Sequence, residues 1–336
     1  MAATSLYLGR MPTFSREDLE ILFILATLFV VVKGLEKSNL LLRLSQRFAR
    51  GRLLPLKLVG LSFFLSMVIT NDVALLVIVP LTLAHGRRDR DLLVILEALA
   101  VNAGSALTPI GNPQNLFIFW HYGLDIRTFI TAIAPFSLMF LVILGLAGLL
   151  LGMRTGPLAQ QEPSSCQPVR PTAVAYIVLL LAIILVILRQ LPTQAGIIIL
   201  VLALLIDRRC LRIDYILLLT LACFFGLAEN IKHMLAASIA HSEHVFLFSA
   251  LASQVISNVP AALLFGRFTD NWHALLWGTS TGGFGSLVGS LANLIAYRLY
   301  ITDVTTDNPA AFAARFTILG YLAFFAALGL YFALRP

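Results

Sequence analysis

Two short polar strings each occur twice in this chain, in the same order, inside its most apolar stretches. Ser66-Met67-Val68-Ile69-Thr70-Asn71-Asp72-Val73-Ala74 is matched by Ser253-Gln254-Val255-Ile256-Ser257-Asn258-Val259-Pro260-Ala261, giving S-x-V-I-[ST]-N-x-x-A. Thr108-Pro109-Ile110-Gly111-Asn112-Pro113-Gln114-Asn115-Leu116 is matched by Ser286-Leu287-Val288-Gly289-Ser290-Leu291-Ala292-Asn293-Leu294, giving [ST]-x-[IV]-G-[NS]-x-x-N-L. Asn side chains donate and accept without carrying charge, and hydroxyls do the same. Such groups suit a small anion or oxyacid, and their oxygens suit a hard cation such as sodium. The substrate candidates are Thr70, Asn71, Thr108, Asn112, Asn115, Ser257, Asn258, Ser290 and Asn293. The coupling-ion candidates are Ser66, Asn71, Asp72, Gly111, Ser253, Asn258 and Gly289, with a sodium ion conceivable at Ser66, Thr70 and Asn71. Neither ion requires a resident cofactor.

The elements that carry these residues must be broken. Pro109 and Pro113 each remove a helical hydrogen bond and clash with the preceding turn. Gly111 permits a positive φ. The pattern predicts an unwound stretch with Asn112 and Asn115 facing a cavity, and a Gly/Ser version of it at 285–290. Half-helix N-termini aimed into a membrane attract anions, and freed carbonyls bind cations. Packing kinks are the alternative for either site taken singly. The duplication at matched positions argues against it.

Three acids fall within apolar stretches: Asp72, Glu97 and Glu229. Intramembrane acids are costly and usually functional. Asp72 has Val259 as its counterpart, so only one half carries a carboxylate. Three roles stay open for it: proton carrier, sodium ligand, or cap of the following half-helix. Glu97 reads equally as a structural hydrogen-bonding group. Glu229 reads equally as an interfacial partner of Lys232, and Lys33 as a residue that snorkels to the headgroups.

Composition excludes several classes. The chain is 59% hydrophobic and 12% charged, with mean hydropathy +0.90, whereas soluble domains carry about 25% charged residues. The reading is an all-α polytopic membrane protein. Met1–Arg16 lacks the apolar core of a cleavable secretory signal. The net charge of +7 comes from Lys and Arg in short loops, the place for topology signals rather than nucleic-acid contacts. Cys166, Cys210 and Cys223 lack metal-ligand spacing and read as free thiols. No H-E-x-x-H, G-x-S-x-G or P-loop string occurs, so an enzyme is not expected.

Apolar runs predict spans near 18–36, 56–84, 91–121, 127–153, 172–189, 191–206, 214–231, 244–266, 272–298 and 309–334. Basic residues flank 56–84 on both sides: Arg43, Arg47, Arg50, Arg52 and Lys57 before it, Arg87, Arg88 and Arg90 after it. A re-entrant hairpin keeps both clusters inside. That topology places 17 of the 24 Lys and Arg inside. Five crossings then separate the two hairpins, so the second repeat is inverted. This parity depends on 191–206, which is short for a crossing. The expected organisation is repeat one at 18–153 (hairpin 56–84, broken helix 91–121), a cytoplasmic linker at 154–171, and repeat two at 172–334 (hairpin 244–266, broken helix 272–298).

These motifs resemble those of the ion-transporter superfamily of arsenite permeases, NhaD-type antiporters and divalent-anion symporters. The resembling strings are Thr-Asn-Asp at 70–72, N-A-G-S-A-L-T-P-I-G-N-P-Q-N at 102–115, S-Q-V-I-S-N-V-P at 253–260 and G-G-F-G-S-L-V-G-S-L-A-N-L-I-A at 282–296. Within the superfamily the chain is most similar to bacterial inner-membrane proteins of the YbiR group, with a citrate-transporter-like domain. The resemblance implies two inverted repeats, each with a re-entrant hairpin and a discontinuous helix. It also implies a multi-pass protein of the inner membrane, in contact with lipid and often dimeric. The implied activity is alternating-access transport of a small anion or oxyacid coupled to Na⁺ or H⁺. Both tips depart from the symporters' Ser-Asn-Thr after the Asn, and the Asn-Asp of the first is closer to the permease and antiporter branch. A cation/proton antiporter using Asp72 is the alternative.

Overall fold

A computed structural model describes residues 2–9, 11, 13–48, 53–84, 89–154, 168–235, 244–303 and 308–334. Arg50, Arg52, Arg87, Arg88, Cys166, His85, His241 and all but the edges of the expected linker lie outside the described residues. Among the described residues there are sixteen α-helices and no strand. In chain order they are α1 (Ala2–Leu8), α2 (Arg16–Lys37), α3 (Leu40–Phe48), α4 (Leu54–Val68), α5 (Asn71–Ala84), α6 (Arg90–Ser105), α7 (Pro113–His121), α8 (Ile126–Arg154), α9 (Thr172–Ile187), α10 (Ala195–Ile206), α11 (Tyr215–Leu235), α12 (Val245–Ile256), α13 (Asn258–Gly266), α14 (Trp272–Gly282), α15 (Leu291–Thr302) and α16 (Pro309–Leu334).

Some helix starts have a clear local cause. Ser15 and Asp18 close a capping box at the start of α2, which satisfies two orphan N–H groups reciprocally. At the head of α8, Asp125 accepts from the Thr128 hydroxyl and from the Thr128 and Arg127 amides, and these bonds, the hydroxyl's above all, hold its carboxyl below the usual range. The predicted spans at 56–84, 91–121, 244–266 and 272–298 each divide into two helices around a duplicated string. Lys33 pairs with Glu36, one turn on, at 2.8 Å. The helix α10 has only 12 residues, about 18 Å at 1.5 Å per residue, well short of a bilayer core of about 30 Å.

Among the described residues, two helices, within 126–153 and 309–334, are long and apolar enough to cross a membrane singly. On α8, Leu138, Val142, Leu146 and Leu150 form an exposed stripe at four-residue spacing. Ile318, Leu322 and Phe325 form a similar exposed stripe on α16, at spacings of four and three. Contiguous apolar stripes suit hydrocarbon and would be a liability in water.

Inside, glycines set the closest approaches. A Cβ on Gly104 of α6 would lie 2.1 Å from the Phe63 carbonyl of α4. At the matched position, a Cβ on Gly282 of α14 would lie 2.4 Å from Ser253 of α12. Other contacts cross between the two halves of the chain: α5 packs on α15, and α7 packs on α13. Aromatic residues lock α8 onto the second break: Phe284 lies 4.5 Å from Phe140 and 5.5 Å from Phe136, and Trp277 Nε1 donates to the Ala132 carbonyl at 2.8 Å.

Candidate functional site

The two breaks share one hydrogen-bonding scheme, and it accounts for the motif residues one by one. The Thr108 hydroxyl donates to the Met67 carbonyl of the first tip at 2.7 Å. The Ser286 hydroxyl donates to the Gln254 carbonyl, the matched atom, at 3.2 Å. Each hydroxyl also accepts from the glycine amide three residues on, Gly111 at 3.2 Å and Gly289 at 3.1 Å. Asn112 and Ser290 cap the helices that follow, accepting from the Gln114 and Ala292 amides. Asn115 Nδ2 donates to the carbonyls of Ser105 at 2.8 Å and Thr108 at 3.0 Å. Asn293 Nδ2 donates to the matched carbonyls of Gly283 at 2.9 Å and Ser286 at 3.0 Å. A break strands backbone carbonyls, and these two amides pick them up. Asn115 and Asn293 therefore hold their loops in shape, and their donors are spent on that task.

The tips are built differently. In the first, Ile69 and Thr70 separate α4 from α5, and Ile69 is extended (φ −114°, ψ 167°). The Asn71 amide donates to the Gly111 carbonyl at 3.0 Å, which ties tip to break. In the second, Ser257 alone separates α12 from α13, at φ 73° and ψ 156°. That region is essentially reserved for glycine, and strain of this kind clusters at functional sites. Thr70, Asn71 and Asn258 are almost fully buried. Their side chains are little used: Asn71 Oδ1 accepts from the next amide, Asp72, at 2.9 Å, and Asn258 Oδ1 meets the Ser257 hydroxyl at 3.5 Å. The Ser66 and Ser253 hydroxyls donate to the Phe63 and Ser249 carbonyls within their own helices, which leaves their lone pairs free.

Of the acids, Glu97 Oε1 accepts a hydrogen bond from the Thr82 hydroxyl, linking α6 to α5. Asp72 Oδ1 is buried without a partner, so that atom caps nothing. Glu229 falls within α11, and the side chain of Lys232 lies outside the described ones.

The site also contains a residue that the spacing did not single out. Asn102 Nδ2 donates to Asn293 Oδ1 at 2.7 Å and to the Gly283 carbonyl at 3.3 Å, joining α6 to the second break. A Cβ on Gly283 would meet Asn258 Nδ2 at 3.1 Å and Asn102 Oδ1 at 3.7 Å, so Asn102 and the second-tip amide converge over a glycine. The sequence held a faint signal, because Asn102 heads the string that runs to Asn115. Its match in the second half is Ser280, so the duplication did not mark it. Asn102 Oδ1, Gln114 Oε1, Asn115 Oδ1, Ser280 Oγ and Thr281 Oγ1 are all buried without a protein partner. Buried polar atoms are normally paired, and these lie on the segments that flank the breaks.

A citrate transporter family profile matches residues 1–282. The chain belongs to that family. It is also 36% identical over 311 residues to the inner membrane protein YbiR of Escherichia coli, covering 84% of this chain and 80% of that one. An uncharacterized transporter of Methanocaldococcus jannaschii is 31% identical over 321 residues, covering 92% and 87%. Family members are transporters rather than enzymes, and the chain is accordingly a multi-pass inner-membrane protein that acts on a small molecule or ion. Three of the duplicated strings, 66–74, 108–116 and 253–261, fall within the stretch matched by the family profile, and the fourth, 286–294, lies beyond its last residue.

Proposed function

We propose that this member of the family is a secondary active transporter of a small anion or oxyacid, coupled to Na⁺ or H⁺ and working by alternating access. The supporting observation is the pair of identically bonded breaks, each beside a tip whose asparagine is buried and nearly unused. In this reading residues 18–153 and 172–334 are inverted repeats joined by a linker at 154–171. The pairs α4–α5 and α12–α13 are re-entrant hairpins. Asn71, Asn258 and Asn102 face the substrate. Thr108, Asn112, Asn115, Ser290 and Asn293 shape its walls, and lipid surrounds α8 and α16. A homodimer is the expected assembly. The cross-packing of α5 on α15 and of α7 on α13 lets both half-sites move as one body.

A second reading has its own support. Asp72 presents an unpartnered buried carboxylate oxygen, which suits a cation/proton antiporter that loads either ion there. Thermal-shift screening of the purified protein against anions and cations, with and without Na⁺ and across pH, separates the two, since a ligand that binds the folded state raises Tm by mass action. Proteoliposomes with imposed pH or Na⁺ gradients then test coupling. Anion-dependent stabilisation and gradient-driven anion flux support the first reading. Cation stabilisation with no anion response, and cation/H⁺ exchange, would replace it with the second.

A further inference from the structure

A separate polar cluster lies at the far end of α13 from its tip. His121 is the last residue of α7. Its Nδ1 is 3.2 Å from Glu17 Oε1 on α2, and its Nε2 is 3.2 Å from the Gly266 carbonyl that ends α13. Both neighbours can only accept. A neutral imidazole has one N–H and one lone pair, so it serves one neighbour and turns a lone pair on the other. Only imidazolium donates to both. The ring stacks on Phe117 at 5.0 Å, which holds it in this orientation, and a cation at a helix C-terminus is favoured by the exposed carbonyls.

The surrounding charges point the same way. From α2 come Glu17 and Asp18. From the segment after α13 come Arg267 and Asp270. Asp18 and Arg267 form an ion pair and are nearly buried, at 5% and 10% exposure, so they largely cancel. Just past α9, Arg189 donates to the Trp120 carbonyl at 2.9 Å, and against it Glu17 and Asp270 still leave the cluster with one net negative charge. Beside the histidine, the Tyr122 hydroxyl donates to the Thr269 carbonyl at 2.7 Å and also lies 3.3 Å from the Gly266 carbonyl, so the imidazolium is a second donor to that oxygen. From α11, the Phe225 ring lies 6.0 Å from the Arg267 guanidinium. His121 helps line a pocket of about 370 Å³ together with Tyr122, Arg267 and Asp270, which gives a proton a route from water.

We propose that His121 is a proton-binding site whose charged form latches α2 to the end of α13. One proton taken from water completes both hydrogen bonds, and its release breaks one of them. The latch bears on the second tip because Asn258 opens the same nine-residue helix that Gly266 closes. It is distinct from any proton carried by Asp72 and stands whichever coupling ion the transporter uses.

The test uses the purified full-length protein in lipid nanodiscs, melted from about pH 5.5 to pH 8.5, the range in which imidazole changes charge. Wild type should melt about 2–4 °C above His121→Gln at the acid end, and the difference should vanish at the alkaline end. Hydrogen exchange of the 262–270 backbone, compared at matched pH, should show extra protection in wild type only under acid conditions. Glu17→Gln, at a half-exposed side chain, should give the same loss, and the double variant should lose no more than either single one. Glu17→Gln alone decides the question if His121→Gln does not fold. A difference that is equal at all pH values, or additive losses in the double variant, would overturn the proposal.

Discussion

Truncating Asn293 to alanine tests whether the duplicated asparagines are loop clamps or waiting ligands. The side chain is fully buried. It makes three hydrogen bonds, to Gly283 O at 2.9 Å, to Ser286 O at 3.0 Å and from Asn102 Nδ2 at 2.7 Å. Alanine leaves one buried and one part-buried carbonyl and one amide short of a partner. A stranded buried group costs roughly 1–3 kcal/mol. Asn102 Nδ2 keeps its 3.3 Å contact with Gly283 O, so the loss on that side is partial. The total is about 3 kcal/mol, or a fall of roughly 6–12 °C in Tm at about 2–4 °C per kcal/mol. The assay is an apparent Tm without added substrate, compared at one scan rate because membrane proteins commonly unfold irreversibly. Asn115→Ala, which strands the carbonyls of Ser105, Ala106 and Thr108, should fall by a similar amount. If both variants melt within about 1 °C of wild type, these amides are not clamps and the shared bonding scheme does not hold the breaks.

Asn71→Ala and Asn258→Ala should behave in the opposite way, keeping Tm within a few degrees while abolishing or strongly weakening transport; wild-type flux in both would move the site away from the tips. Asp72→Asn should leave flux insensitive to pH or absent, as read in proteoliposomes under imposed gradients, whereas a raised Na⁺ requirement would make Asp72 a sodium ligand. Gly104→Ala forces a Cβ to within 2.1 Å of a backbone oxygen and should cost about 1–3 kcal/mol or more by overpacking. Gly60→Ala is its control, since nothing lies within 4 Å of that position, and it should be neutral or slightly stabilising. Cysteines introduced near Asp125 and Arg267 should label from outside, and those near Arg88 and Gln160 should not; outside labelling at Arg88 would remove the re-entrant topology.

The backbone breaks were legible in the sequence because their causes act within a few residues. Pro109 and Pro113 remove helical hydrogen bonds wherever they sit, and the helices stop at Ser105 and resume at Pro113 accordingly. The repetition of Asn and Gly at matched offsets likewise located both tips, and composition alone placed the chain in a membrane. Direction was not legible. An asparagine at a break serves equally as a clamp or as a ligand, and only the positions of Ser105, Thr108, Gly283 and Ser286 around Asn115 and Asn293 decide for the clamp. Lys33 pairs with a residue one turn away because the packed helix leaves Glu36 within reach. Asn102 joins a helix to a break 191 residues distant, and Arg267 meets Asp18 across 249 residues. Apolar helix faces carry little directional information about which neighbour they will meet. Helix breaks and hydropathy are therefore written in local chemistry, whereas the donor that reaches a given acceptor across the fold is decided by how the helices pack.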